Sequence, residues 1–439
     1  LAALFVSLLA VLVEQGFTRA LIQRPTVENA HLYTAFWTNL AFSGVLACAL
    51  AASSVTLATA FAEPALAPVL RVLSLSLMLG ALSGVHTAIL QRDMRFGALT
   101  TRTLIGTLLG AGVGIGLAWS GFGVWALVVQ TLVGQSVTAL GLWNATDWRP
   151  RAAFSVRHLR QLWTFGLSIV GSQLISFTNS KAASMYIAVL LDKHALGIYT
   201  IAARIERTLA SLLITTITRV SLATLSRLQL DRARFRHIYL KGVELAAAIA
   251  VPIFVGISAL APEITNAILG PQWTEAAPIL SVLALLGVVT TVGTLNATAI
   301  DSLGFPHYNL RINLLGTAVL LPALMIGSLW GLTGIATAFV ARAYLLWPVR
   351  FAVLRRLCGV TFHDLLAAIW GILASAVLMA ATLSWLRDFS FGVGQYPHLA
   401  LLVCVGAAVY GLCLTILAPA TLREAISTGR AALRRSRGT

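Results

Sequence analysis

Charge is what this sequence has least of. Asp, Glu, Lys and Arg make up 10% of 439 residues while 58% are hydrophobic, and mean hydropathy is +0.87. A soluble domain carries about 25% charged residues, so no soluble core could absorb this much apolar surface. Acids are scarcer still, 15 Asp and Glu against 31 Lys and Arg. The loops offer no paired carboxylates, nucleophile elbow or phosphate-binding glycine loop, which leaves an enzyme without a catalytic constellation. Cysteine is also sparse: Cys48, Cys358, Cys404 and Cys413 lie in or beside apolar runs without pairing or metal spacing. His86 and the other histidines lack ligand spacing as well, so neither a metal nor a cofactor is expected.

What the chain has is long apolar runs. With roughly 20 residues needed per membrane helix, spans fall near 1–23, 32–61, 65–90, 99–120, 121–145, 160–191, 195–226, 236–261, 276–302, 307–330, 331–356, 364–386 and 397–418. The net charge of +16 is spread over alternate loops. The loops after odd-numbered spans and the C-terminal tail hold roughly 23 basic residues, against 3 (Arg71, Lys193, Arg387) on the other side. That strip is a topology signal rather than a nucleic-acid footprint, and it predicts a cytoplasmic C-terminus. An odd number of spans then puts Leu1 outside. Since the sequence opens on Leu without signal-peptide architecture, a further helix ahead of it is expected, about fourteen in all.

The chain also resembles itself. Ala67–Leu75 (APVLRVLSL) aligns with Ala277–Leu285 (APILSVLAL), six of nine positions being identical. Trp119 and Gly123 match Trp330 and Gly334 at nearly the same offset. A duplicated unit of six helices keeps its orientation, which predicts two bundles related by an axis along the membrane normal. The expected fold is thus an all-α polytopic membrane protein of two six-helix bundles plus two extra C-terminal helices. Its expected divisions are an N-terminal lobe over 1–150, a second lobe over 151–359, and the two extra helices with a basic tail over 360–439.

Within this apolar background a few charges stand where a bilayer penalises them. On the span near 195–226, Arg204, Arg207, Thr208, Ser211, Thr215, Thr218 and Arg219 fall within about 60° of one direction. At 1.5 Å rise per residue, Arg204 lies roughly 13 to 15 Å deep and Arg207 roughly 18 to 20 Å. Lys181 and Arg342 come to roughly 15 and 16 Å on neighbouring spans. Arg219 and Arg19 lie nearer the cytoplasmic side, at similar places in the two halves. Internal pairing would call on Glu14 and Glu206, two acids for six bases, with Glu206 roughly 160° from the centre of the stripe. A cationic cavity is therefore expected, suited to a translocated anion such as a diphosphate. A second stripe, Thr290, Thr291, Thr294, Thr298 and Asp301, reads as threonines bonding their own backbone.

Seven segments carry a family resemblance: ALIQR at Ala20–Arg24, TAFWTNL from Thr34, AILQRDMRF at Ala88–Phe96, GFGVWALV at Gly121–Val128, WRPR at Trp148–Arg151, ALGIY at Ala195–Tyr199 and LSRLQ at Leu225–Gln229. Together these resemble the polysaccharide-biosynthesis exporters, the Wzx-type flippases of the multidrug/oligosaccharidyl-lipid/polysaccharide superfamily. The resemblance covers nearly the whole chain. It implies export of an undecaprenyl-diphosphate-linked oligosaccharide across a bacterial cytoplasmic (inner) membrane by alternating access, for surface polysaccharide such as lipopolysaccharide or exopolysaccharide. The implied partners are the lipid-linked oligosaccharide, membrane lipids, and a polysaccharide polymerase with its chain-length machinery; no nucleic acid is expected. On this reading Arg204, Arg207, Lys181, Arg342, Arg219 and Arg19 are the substrate-binding candidates. Two alternatives stay open. One is an ion-coupled drug or small-molecule antiporter of the same fold, with Glu14 as its coupling acid. The other is an integral-membrane glycan polymerase or ligase, disfavoured because the longest outer loop is only about Ala261 to Glu275.

Overall fold

The computed structural model describes residues 2–23, 27–226, 231–389 and 394–419; the side chains of residues 11, 14–20, 23, 161–173, 215–224, 226 and 306 lie outside that description. The helices are α1 (Ala2–Gln23), α2 (Asn29–Ala60), α3 (Leu66–Leu73), α4 (Leu75–Arg92), α5 (Phe96–Trp119), α6 (Val124–Ala145), α7 (Val156–Leu190), α8 (Lys193–Ser226), α9 (Arg232–Ala259), α10 (Ala261–Ile264), α11 (Ala277–Ser302), α12 (Pro306–Ser328), α13 (Gly331–Leu345), α14 (Trp347–Cys358), α15 (Phe362–Leu386) and α16 (Gln395–Leu417). No strand occurs among the described residues. The protein is an all-α multi-pass membrane protein: ten helices or consecutive helix pairs among the described residues are long and apolar enough to cross a bilayer. The other three expected spans coincide with α1, α7 and α8, of 22, 35 and 34 residues. Large side chains face outward, Leu108, Leu127 and Ile416 being 70%, 64% and 71% exposed. Such a surface suits acyl chains and would not stay dispersed in water.

Two compact units divide the chain at Ser180 and Lys181, inside α7. Each repeats one packing order. In the first, α4 packs on α1, α2 and α6, and α5 on α6; in the second, α11 packs on α8, α9 and α13, and α12 on α13. The aligned segments thus occupy matching places, α3–α4 against α11. The second unit also holds α15, which packs along α9 and α16.

Helix association in lipid gains little from hydrophobicity and depends on close packing, which small residues permit. Gly106, Gly110 and Gly114 put one face of α5 directly on α6. A methyl group at Gly110 would stand 2.7 Å from the Gln130 carbonyl. The same device recurs in the second unit at Gly327 of α12 and Gly334 of α13, whose backbones touch.

Aromatics gather where α2 meets the segment after α6. Phe36 is buried among Trp37, Trp143 and Trp148. The 147–155 segment is pinned back onto α2 by Trp37 Nε1 donating to the Arg151 carbonyl (2.8 Å) and Ser155 N–H donating to Thr34 Oγ1 (3.2 Å). The second unit's core gathers Phe235, Tyr239 and Phe254 of α9 against α11, α14 and α15, and the Tyr239 hydroxyl donates to Asn296 Oδ1.

Candidate functional site

α8 presents two unlike faces. Tyr199, Ala202, Ala203, Glu206 and Ala210 are buried, the spacing of one helical face, and α11 with its small residues packs closely there. On the opposite face Arg204, Thr208 and Ser211 are exposed. The hydroxyls along this face turn back to the helix: Thr208 Oγ1 donates to the Arg204 carbonyl and Ser211 Oγ to that of Thr208, each at 2.8 Å. Arg204 is therefore the more exposed of the two described cations of the stripe, Arg204 and Arg207.

Arg207, one residue beyond buried Glu206, is half-buried and donates from Nε to the Ala203 carbonyl at 3.0 Å. Lys181 at the C-terminal half of α7 lies within its electrostatic reach. The Tyr199 hydroxyl lies within reach of Arg207, Glu206 and Arg342 together. Arg342 of α13 donates from Nη1 to the Gly316 carbonyl of α12 at 2.8 Å, and its guanidinium stands 5.2 Å from the centre of the Phe339 ring. Gly316 leaves the room for this: a Cβ there would stand 3.3 Å from that nitrogen. Of the expected cations, Arg207 and Arg342 thus lie within electrostatic range of Tyr199 and Lys181 within that of Arg207, while Arg204 is exposed on the other face of α8. Glu206 is 4% exposed and makes no ion pair among the described residues. Arg219, Arg19 and Glu14 are placed in α8 and α1, but their side chains lie outside the described residues.

The second stripe is backbone-satisfying. Thr290, Thr291, Thr294 and Thr298 each donate to a carbonyl one turn earlier at 2.7 to 3.1 Å, and Asp301 Oδ1 accepts from Asn309 Nδ2 at 2.8 Å.

The first unit holds a recess of about 720 Å³ between α4, α5 and α6, lined by uncharged polar groups that include Thr87, Gln91, Thr103, Thr107, Gln130 and Gln135. Sequence reasoning did not single it out, since isolated Thr and Gln on separate helices form no stripe on any one of them. Sequence spacing also gave no hint of the meeting of Glu28, His31 and His158, whose candidate ligand atoms lie within 4.8 Å of one another.

Several known proteins are similar to this chain. The family model described as "Polysaccharide biosynthesis protein" matches residues 1–278. The succinoglycan biosynthesis transport protein ExoT of Rhizobium meliloti is 29% identical over 290 residues, which is 66% of this chain and 59% of that protein. The chain therefore spans less than two thirds of that relative. The teichuronic acid biosynthesis protein TuaB of Bacillus subtilis is 22% identical over 96% of this chain and 88% of its own length. The lipopolysaccharide biosynthesis protein WzxC of Escherichia coli is 21% identical over 83% of this chain and 75% of its own. Among solved structures, the lipid II flippase MurJ in an inward closed conformation superposes with a TM-score of 0.77 at 15% identity, covering 94% of this chain and 91% of that one. An inward-facing multidrug resistance MATE family transporter of the MOP superfamily gives 0.62 at 18%, covering 80% and 87%. At such identities the two structures share their fold with this chain.

Proposed function

Because the chain belongs to the polysaccharide biosynthesis protein family, as its motifs led one to expect, we propose that it is a flippase moving a lipid-linked oligosaccharide across the bacterial cytoplasmic membrane. The carrier we assign is undecaprenyl diphosphate, and the route is for surface polysaccharide biosynthesis, with a cytoplasmic C-terminus and a polymerase with chain-length machinery downstream. The relatives named for succinoglycan, teichuronic acid and lipopolysaccharide biosynthesis support this reading, as does the fold shared with a lipid II flippase.

The observation that carries it is a chain of cations across three helices, Lys181 within electrostatic range of Arg207, and Arg207 and Arg342 within range of Tyr199, with Arg204 exposed on the helix of Arg207. Each cation costs about 2.5 to 3.5 kcal/mol at the centre of a membrane helix. A cluster of like charges raises that cost, and one acid does not offset it. An anion with several oxygens does, through charge-assisted hydrogen bonds. A diphosphate has that chemistry, while the lipid that carries it stays in the bilayer. In this scheme Arg204 meets the head group first and Arg207, with Lys181 or Arg342, holds it during alternating access; Arg219 and Arg19 are the candidates nearer the cytoplasmic face.

The test is transport by proteoliposomes of the full-length protein, using a fluorescent undecaprenyl-diphosphate glycan and an impermeant quencher to follow its change of leaflet. Wild-type flipping that falls in Arg204→Ala and Arg207→Ala, at equal insertion, supports both function and site. Wild-type flipping that persists unchanged in both variants discards the site, and no wild-type flipping of any lipid-linked glycan discards the function.

A further inference from the structure

We propose that Glu28, His31 and His158 form a binding site for one divalent transition-metal ion of the zinc class. The three residues come from two places far apart in the chain: Glu28 caps the start of α2, His31 sits on its first turn, and His158 is on the first turn of α7. They meet because the 147–155 segment is bonded back to α2 at Trp37 and Thr34, which lays His158 edge-on against His31 with ring centres 4.3 Å apart. One candidate ligand atom from each residue lies within 4.8 Å of the other two. In a tetrahedral site with bonds near 2.1 Å, neighbouring ligand atoms stand about 3.4 Å apart. The shift needed is at most about 1.4 Å, and the Glu28 side chain, 72% exposed, can supply part of it by leaving its capping contact with the His31 N–H.

The donor set fits this class of ion. Two imidazoles and one carboxylate match zinc and its neighbours, whereas calcium and magnesium call for shells of oxygen. The Glu28 backbone N–H donates to His31 Nδ1 at 3.2 Å, so that nitrogen carries no proton, and it can ligate where the ion takes the place of the amide. His158 Nδ1 lies 2.7 Å from Ser155 Oγ. With Nδ1–H donating to that hydroxyl as an outer partner that orients the ring, Nε2 keeps its lone pair for the ion on the side of the Glu28 carboxylate. Nε2 and Glu28 Oε2 stand 3.7 Å apart, too far for a hydrogen bond and well placed for a cation between them. Three protein ligands leave a fourth position for water. Bound there, the ion would cross-link the start of α2 to the start of α7.

The proposal is independent of the transport function, and its test reads binding. Chelator-stripped, tag-free full-length protein in nanodiscs is titrated with Zn²⁺ by calorimetry and with Co²⁺ by visible absorption. The expected result is one saturable equivalent per chain, a tetrahedral Co²⁺ band with nitrogen ligation, and a rise in unfolding temperature that scales with ion concentration. His158→Ala and Glu28→Gln each weaken binding by more than about tenfold, the loss that even an outer-shell partner produces, while His363→Ala leaves it unchanged. Should His158→Ala fold poorly, His158→Gln replaces it and the wild-type Co²⁺ spectrum decides. No saturable binding, or equal affinity in wild type, His158→Ala and Glu28→Gln, overturns the site. So does a contribution of His158 to unfolding temperature that is the same with chelator and with Zn²⁺, since that describes a proton-mediated pair with Glu28 alone.

Discussion

The two units share a packing order yet differ in the chemistry they display. With Arg19 matched to Arg219, the positions of Arg204 and Arg207 on α8 fall on Leu4 and Ser7 of α1. The α4, α5 and α6 helices of the first unit enclose hydroxyls and carboxamides around a recess free of charged lining residues. Their counterparts α11, α12 and α13 carry Arg342 clasped to Gly316, and their threonines are committed to their own backbone. The recess of the first copy is thus lined by neutral polar groups, while the cation that α5 of that copy carries, Arg102, is bonded to the Gly141 carbonyl of α6 at 3.2 Å. The glycine contacts that hold the scaffold together, α5 on α6 and α12 on α13, recur in both. Packing is what the copies have in common, and the polar side chains are where they diverge.

The sharpest way to break this contrast is to invert it. Arg207→Glu places a repelling charge at the proposed diphosphate and should lower flipping more than about 100-fold. Arg207→Ala should cost about 10- to 100-fold, as expected for loss of a charge-assisted hydrogen bond of about 1.5 to 3 kcal/mol. Initial rates in proteoliposomes at matched insertion check both. Arg207→Glu with wild-type activity would mean that the charges of the second unit are structural.

The shared scaffold makes a second prediction. Gly110→Leu drives a side chain into the Gln130 carbonyl, and Gly327→Leu does the same against Gly334. Each overpacking should cost about 1 to 3 kcal/mol or more, read as a lowered unfolding temperature and a smaller monodisperse fraction in detergent. If only one of the pair destabilises, the two contacts are not equivalent.

A smaller effect is expected where α9 meets α15. Arg236 pairs with Asp364 at 2.8 Å, and Asp364 also accepts from the Thr361 N–H and hydroxyl, both at 2.8 Å. Asp364→Asn should cost about 1 kcal/mol, the typical worth of a helix cap, and Arg236→Ala less, because an exposed pair contributes at most about 1 kcal/mol. Thermal unfolding of the two variants side by side separates the cap from the ion pair. The smallest effect belongs to Thr294→Val on α11: its hydroxyl serves only the Thr290 carbonyl, so flipping should stay within about twofold of wild type.

Much of the fold could be read from hydropathy because every span had to carry some twenty apolar residues. The helix ends could not, since polar capping residues set them ahead of the apolar runs. α9 starts at Arg232, where Asp231 accepts from the Arg234 N–H, and α15 starts at Phe362 through the Thr361 and Asp364 box. The span expected near 331–356 is in fact α13 and α14, interrupted at Leu346 with Pro348 opening the second piece. The loop from Ala261, expected on the outer side, is itself built of helical turns, reversed at Gly270 where φ is +94°.

Legibility of the site follows the same logic. A helical wheel places Arg204 outward and Glu206 inward on α8 because both lie on one element. It says nothing of Arg342 reaching Gly316, nor of His158 reaching Glu28, because those distances depend on how separate helices pack. The 720 Å³ recess eluded the sequence for the same reason, each of its helices contributing only a few polar residues.

The central claim is that the cations of the second unit read the diphosphate of the carrier lipid. The most direct measurement compares flipping of one glycan on a diphosphate, a monophosphate and an uncharged lipid, in wild type and in Arg207→Ala. The account predicts a steep decline from diphosphate to uncharged carrier in wild type, and a nearly flat series in Arg207→Ala. Equal dependence on phosphate number in the two proteins would contradict it.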